Sequence, residues 1–188
     1  MKFRITENGT KAREDHEKAI FVMSVNKGEF SKTLILVDGS QPSFNAANCA
    51  IALAKKQSDC DSTQLLIALH VVFSRLGYAY SSAGAFGSSG LTTPPTLKEL
   101  LEDAKKEAEE WFDKIDEKIN NANNIQLKTE VIVTATSIVS AIVEYANNNN
   151  VDLIVTGTRG RSEFKKLLLG SVASGVVIHA ACPVMVIK

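Results

Sequence analysis

Short segments with the character of buried strands alternate with helix-length segments along most of the chain. The first strand segment, Thr33 to Val37, is an apolar β run, and a strand that is apolar on both faces belongs inside a parallel sheet covered on both sides. Four more strand segments follow at 64–72, 126–133, 151–156 and 183–188. Because parallel strands need helical crossovers, the pattern predicts a doubly wound, five-stranded parallel α/β sheet sandwiched by helices.

The crossovers carry helical signals. Residues 97–119 repeat apolar side chains every three or four positions and place acids and lysines on the opposite face, which predicts an amphipathic helix. We interpret its charged face as a solvated surface rather than a partner site. Ser43 and Ser137 are predicted to cap two further helices, and a fourth is predicted over 167–181.

Two regions fall outside this alternation. Residues 1–31 are predicted to be an N-terminal extension, whose apolar patch, Ala19 to Val25, could form either a helix or a strand docked on the domain. Residues 74–96 are rich in glycine and serine and contain Pro94-Pro95, which predicts a long, mobile surface loop. A single domain is therefore expected over 32–188.

Charge and composition exclude several classes of protein. The 21 basic and 21 acidic side chains cancel, so no overall field attracts the chain to nucleic acid or to an anionic membrane. No apolar run approaches the roughly 18 residues of a membrane span, and charges at the N-terminus break a signal-peptide pattern. We therefore expect a cytoplasmic protein. The three cysteines and three histidines are scattered, and their spacing predicts no metal site.

Small and polar residues follow the first and fourth strand segments, at 38–40 and 156–160. In doubly wound sheets, ligands bind beyond the carboxyl ends of strands at the point where the strand order reverses. Gly157, Gly160 and Gly170 would let backbone amides approach an anion, and Ser171 would begin a helix at its positive end. Together these features favour a phosphate-bearing ligand over an ordinary glycine turn.

The spacing of these residues resembles the universal stress protein family, in particular its nucleotide-binding branch. The most specific part is the G-2x-G-9x-G-[ST] signature, which is met by Gly157, Gly160, Gly170 and Ser171. Residues 34–40, 70–72 and 181–186 are also similar to the family, and the resemblance covers about residues 32 to 188. It implies a Rossmann-like fold of the adenine nucleotide alpha-hydrolase type.

The resemblance further implies that ATP, accompanied by Mg²⁺ or replaced by AMP or another adenine nucleotide, lies between the first and fourth strands. The residues that would hold it are Val37, Asp38, Val71, Thr156, Gly157, Arg159, Gly160, Gly170, Ser171 and Val172. Asp38 precedes Gly39 and is equally typical of a turn, but we favour a binding role. Thr156 stands where the family commonly has a larger apolar residue, which implies a more open wall.

Three functions are compatible with these residues. The favoured hypothesis is an ATP-binding, stress-response or regulatory module that acts as a nucleotide-dependent homodimer. The second is a slow ATPase or an autophosphorylating enzyme, although no Walker or GxSxG sequence occurs and no general base is evident beyond Asp38. We assign no catalytic residue. The third is a dimeric interaction protein without a nucleotide, against which the intact glycine signature argues.

The chain closes with an apolar strand segment at 183–188. If this strand lies at the sheet edge, its unpaired backbone groups invite another strand. The universal stress protein family pairs the equivalent strand across a two-fold axis. We therefore expect a homodimer formed through residues 183–188.

Overall fold

The structure is a computed structural model that describes residues 20–22, 30–57, 63–74, 97–119, 122, 124–160 and 169–188. For residues 20–22 it describes the backbone. Apart from Ser74, the loop predicted at 74–96 lies outside the described residues.

Strands and helices alternate along the described chain as the sequence pattern predicts. The elements are β1 (Ile20–Val22), β2 (Lys32–Leu36), α1 (Gln41–Gln57), β3 (Gln64–Phe73), α2 (Leu97–Ile119), β4 (Ile125–Thr134), α3 (Ile138–Asn148), β5 (Leu153–Gly157), α4 (Ser171–His179) and β6 (Val184–Ile187). Among the helices that the structure describes, none combines the length and the apolar character needed to cross a membrane.

The strands form one sheet in the order β1-β6-β5-β2-β3-β4. Strands β2 to β6 are parallel to one another, so the predicted five-stranded parallel sheet is confirmed. From β2, the chain winds outward through β3 and β4 in one direction, and through β5 and β6 in the other. The strand order therefore reverses between β2 and β5, where doubly wound sheets bind their ligands.

Strand β6 has a neighbour on both sides. β1 pairs with it in antiparallel fashion, with Ile20 opposite Val186 and Val22 opposite Val184. The condition under which β6 would invite another strand, a position at the sheet edge, is therefore not met. Within the apolar patch near the N-terminus, residues 20–22 form a strand rather than a helix, and these residues of the expected extension belong to the sheet of the domain.

Both faces of the sheet are covered by helices. Ile35, Leu66 and Val155 pack in the core shared with α1 and α2. Their neighbours along the strands, including Leu34 and Ile154, pack in the core shared with α3 and α4. Burial on both faces explains why the central strands are apolar at successive positions. The strand predicted to lie nearer an edge, β4, pairs only with β3 among the described strands.

Helix α1 begins before the cap predicted for it. The carbonyl of Ser40 accepts from the amide of Phe44 at 3.1 Å, and its hydroxyl accepts from the amide of Ser43 at 3.3 Å. Ser40 therefore occupies the capping position, and the prediction for Ser43 is wrong. Pro42 has no N–H to leave unsatisfied, so it fits in the first turn. The predicted cap of α3 is confirmed, since the Ser137 hydroxyl accepts from the amide of Ser140.

Helix α4 packs closely against α3 at Gly175. A Cβ atom at this position would lie 2.6 Å from Cγ2 of Val139, closer than two carbon atoms normally approach. A residue with a side chain fits at this crossing only if Val139 or one of the two helices shifts.

Candidate functional site

A cavity of about 260 Å³ opens at the carboxyl ends of β2 and β5. The ten residues chosen from the sequence all line it: Val37, Asp38, Val71, Thr156, Gly157, Arg159, Gly160, Gly170, Ser171 and Val172. Seven further lining residues were not foreseen: Leu36, Ser43, Leu69, His70, Ile138, Ile142 and Ala173. The cavity lies where the strand order reverses, as the doubly wound topology requires.

The first turn of α4 forms one wall of this cavity. Gly170 precedes the helix and provides no side-chain cap, and its own amide donates to the carbonyl of Thr158 at 2.7 Å. The amides of Ser171, Val172 and Ala173 lie in the first turn and have no acceptor within the helix. All three residues line the cavity. The positive end of the helix dipole lies there too, so this wall is suited to an anion.

A side chain at each of the three signature glycines would meet a different neighbour. A Cβ at Gly157 would lie 2.7 Å from the carbonyl carbon of Pro42, so this glycine allows β5 to pack against the start of α1. A Cβ at Gly160 would lie 2.5 Å from Oδ2 of Asp38, and one at Gly170 would lie 3.3 Å from the carbonyl oxygen of Thr158. The latter two glycines bring the loop after β5 close to Asp38 and to the start of α4.

Asp38 forms a turn and also faces the cavity. Its Oδ1 accepts from the amide of Ser40 at 3.1 Å and from the hydroxyl of the same residue at 2.6 Å. This is the side-chain-to-backbone contact typical of aspartate in a turn. Its Oδ2 lies on the side of Gly160. Oδ1 of this carboxylate therefore stabilises the turn, and Oδ2 lies beside Gly160 at the cavity wall.

His70 is a buried member of the cavity wall. Its Nδ1 lies 2.8 Å from the carbonyl oxygen of Val37, and since a carbonyl only accepts, Nδ1 donates the hydrogen. Its ring meets the indole of Trp111 edge-on. Both partners are distant in sequence. The sequence could therefore have indicated His70 as a site residue only through its position near the end of a buried strand.

The remaining walls are mostly apolar. Val37 and Val71 come from the ends of two strands, and Ile138 and Ile142 come from α3. Thr156 is a buried polar residue of β5 whose hydroxyl lies 3.3 Å from the carbonyl oxygen of Gly157. One cavity thus combines apolar surface with the amides at the start of α4. This combination suits a ligand that has an apolar ring and an anionic group.

The model of the universal stress protein family matches residues 29–188. This chain belongs to the universal stress protein family. The match begins after β1, so that strand lies outside the part shared with the family model.

Individual relatives agree with this assignment. The chain is 32% identical over 166 residues to the universal stress protein MJ0531 of Methanocaldococcus jannaschii, covering 87% of this chain and 86% of the relative. It superimposes on the solved universal stress protein UspA of Lactobacillus plantarum with a TM-score of 0.65 and 27% identity, over 86% of this chain and all of the other. A universal stress protein solved in complex with cAMP shares the fold, with a TM-score of 0.58 and 20% identity over 85% of this chain and 97% of that one.

Proposed function

We propose that this universal stress protein is a regulatory module that binds ATP in the cavity between β2 and β5. The observation that carries the proposal is that Ser171, Val172 and Ala173, whose first-turn amides have no acceptor within the helix, all line an otherwise largely apolar cavity. Amides at a helix start bind phosphate oxygens without needing a basic side chain. The solved relative that binds cAMP supports an adenine nucleotide as the ligand class.

The lining residues divide according to the parts of the nucleotide. The side chains of Val37 and Val71 would pack against the adenine ring, and Asp38 would face the adenosine. Gly160 and Gly170, together with Ser171, would hold the ribose and the phosphates. Thr156 and Arg159 would complete the wall formed by β5 and the loop after it.

The close contacts of two glycines support this fit. Side chains at Gly160 or Gly170 would fill space beside Asp38 or Thr158, where the loop must lie close for amides to reach a phosphate. Mg²⁺ would arrive with the phosphates, because magnesium is commonly held through nucleotide oxygens and water. Among the described residues, no group of three histidines, cysteines, aspartates or glutamates is positioned to hold a metal ion by itself.

The homodimer expected through residues 183–188 would use the edge of β6 that β1 covers. We therefore propose that dimer only for a state in which β1 has left β6. The proposed nucleotide site lies apart from this edge, at the ends of β2 and β5, and among the described side chains none of β6 lines it.

The proposal is tested by denaturing the purified protein and identifying the released small molecules by mass spectrometry. We expect an adenine nucleotide. Calorimetric titration of the ligand-free protein with ATP, AMP and cAMP then ranks the ligands, and ATP should bind most tightly because it offers the most anionic oxygens to the three amides. If no nucleotide is released and none of the three titrates, the protein acts instead as an interaction module without a nucleotide.

A further inference from the structure

Strand β4 has one open edge, since β3 is its only neighbour among the described strands. On the β3 side, the carbonyl of Asn124 accepts from the amide of Gln64 at 2.7 Å, and the carbonyl of Thr134 accepts from the amide of Ser74 at 2.8 Å. Even-numbered residues of β4 therefore direct their backbone groups toward β3. Because this direction alternates along a strand and the register is continuous, the odd-numbered residues direct theirs toward the open edge.

A groove of about 620 Å³ lies between this edge and α2. The apolar part of its wall contains Leu127 and Val131 from β4 and Phe112 from α2. Thr129, between the two β4 residues, also lines the groove and is exposed. All three β4 residues are odd-numbered, so they combine side chains in the groove with backbone groups at the open edge.

The helix side of the groove is acidic. It carries four exposed acids and two exposed lysines, namely Glu102, Glu109, Asp113, Asp116, Lys105 and Lys106. Within the part of the chain that the structure describes, no ion pair joins Glu109, Asp113 or Asp116 to a basic side chain. From 102 to 116 the helix extends about 21 Å, which equals about six residues of an extended strand.

These features define what the groove can hold. An extended segment could pair its backbone groups with those of the open edge, as in recognition by strand addition. Lysine or arginine at every second position would lay its methylene groups on Leu127 and Val131 and place its charge near the acids of α2. A second copy of the same edge does not fit, because it would bring two acidic surfaces together.

We propose that the open edge of β4 and its acidic groove bind an extended segment of another protein that carries lysine or arginine at every second position. The segment joins the sheet as an additional strand. The charged face of α2 thus has a binding role where it borders β4, beyond the solvated role predicted from the sequence. The nucleotide cavity and this groove share no lining residue, so the inference does not depend on nucleotide binding.

A short fluorescein-labelled peptide of alternating valine and lysine is a direct probe of this groove. The control peptide has glutamate in place of each lysine. By fluorescence anisotropy with the full chain, we expect the lysine peptide to bind at micromolar concentration and more weakly at high salt, and the glutamate peptide not to bind. Equal binding of the two peptides, or binding of neither, would overturn the proposal.

Two substitutions of Thr129 test the role of the backbone. Thr129→Pro removes an N–H that points to the open edge, where strands tolerate proline, whereas Thr129→Val keeps the N–H and suits a strand. We expect Thr129→Pro to weaken binding of the lysine peptide about tenfold because a peptide carbonyl loses its donor. Thr129→Val should bind like the wild type. Equal affinities of the two folded variants would overturn the proposal.

Two further substitutions test the role of charge. Asp113→Lys and Glu110→Lys make the same change of charge on one helix, but Asp113 lines the groove and the exposed Glu110 does not. We expect Asp113→Lys to weaken binding of the lysine peptide much more than Glu110→Lys. Equal losses would show that only the overall charge of the helix attracts the peptide, and would overturn the proposal.

Hydrogen exchange of the wild type needs no substitution. The amides of Leu127, Thr129 and Val131 should exchange rapidly in the free protein and slowly once the lysine peptide is bound. Slow exchange in the free protein would show that another part of the chain already covers this edge, and would overturn the proposal. Calorimetric titration with ATP reports separately on the nucleotide proposal.

Discussion

The imidazole of His70 meets the indole of Trp111 edge-on, with ring centroids 5.1 Å apart and ring planes at 90°. The same indole lies against Gly39, where a Cβ would be 2.6 Å from its Cε2 atom. Gly39 has a φ angle of +79°, which glycine adopts without strain. Trp111 therefore joins α2 to two segments that border the cavity, namely the turn after β2 and the end of β3.

This contact predicts a fluorescence signal for ligand binding. Trp111 is the only tryptophan in the chain, and it touches His70, which lines the cavity. We expect saturating ATP to change its emission along the same curve that calorimetry gives for binding. Trp111→Phe should abolish the signal while leaving calorimetric binding in place. Unchanged emission at calorimetric saturation would contradict the prediction.

Substitution of Ser171 separates the role of the amide from that of the hydroxyl. Gly170 has a ψ angle of 159°, which suits a residue before proline, and proline is favoured at the first helical position. Ser171→Pro should therefore leave α4 folded but remove one anion-binding N–H. A hydrogen bond to a charged group contributes about 1.5–3 kcal/mol, so we expect ATP affinity to fall about tenfold to a hundredfold.

The matched control for this prediction is Ser171→Ala, which keeps the amide and removes only the hydroxyl. Its loss of affinity by calorimetric titration should be smaller than that of Ser171→Pro. Equal affinities for the two variants, both folded by circular dichroism, would show that the amide at position 171 does not bind the nucleotide.

Substitutions at two of the signature glycines should affect the stability of the fold and the binding of ATP to different degrees. Gly157→Ala places a methyl group against the backbone of Pro42, and such overpacking costs about 1–3 kcal/mol in the free energy of unfolding. Gly160→Ala meets only the carboxylate end of Asp38, which can move at small cost to the fold. Urea unfolding and ATP titration of both variants test this. Gly160→Ala should bind ATP more weakly while its free energy of unfolding stays nearly unchanged. A Gly160→Ala variant that is less stable than Gly157→Ala would refute the separate roles given to these two glycines.

Bound ATP should be hydrolysed slowly or not at all. The proposed phosphate contacts are backbone amides and Ser171, which bind the ground state and the transition state about equally, and such uniform binding does not raise the rate. Fast phosphoryl transfer also needs a positioned nucleophile and charge stabilisation. We expect phosphate release well below about 1 per second, the lower end for ordinary enzymes. A faster rate that Ser171→Pro abolishes would favour the ATPase hypothesis.

The parallel sheet was predictable because its central strands are buried on both faces, and such strands are apolar at successive positions in the sequence. The place of β1 was not predictable. Ala19 to Val25 is an apolar segment that suits a helix or a strand equally, and the backbone edge of β6 decides between them. Strand choice in such a short segment depends on its tertiary partner more than on residue type.

The candidate site followed from topology more than from individual side chains. Asp38 and Gly157 were foreseen because the carboxyl ends of parallel strands meet at one edge of a sheet. His70 was missed because its contacts, to the carbonyl of Val37 and to Trp111, join residues far apart in the sequence. The separate roles of Gly157 and Gly160 likewise depend on Pro42 and Asp38, which spacing alone does not identify.

The close approach of Gly175 to Val139 links a position outside the cavity to the proposed nucleotide affinity. A methyl group at position 175 would push α4 away from α3, because packed interiors yield little when compressed. The amides of Ser171 and its neighbours would shift with the helix, although no residue lining the cavity had changed. A larger residue at this helix crossing is therefore expected to change the proposed nucleotide affinity while the glycine signature stays intact.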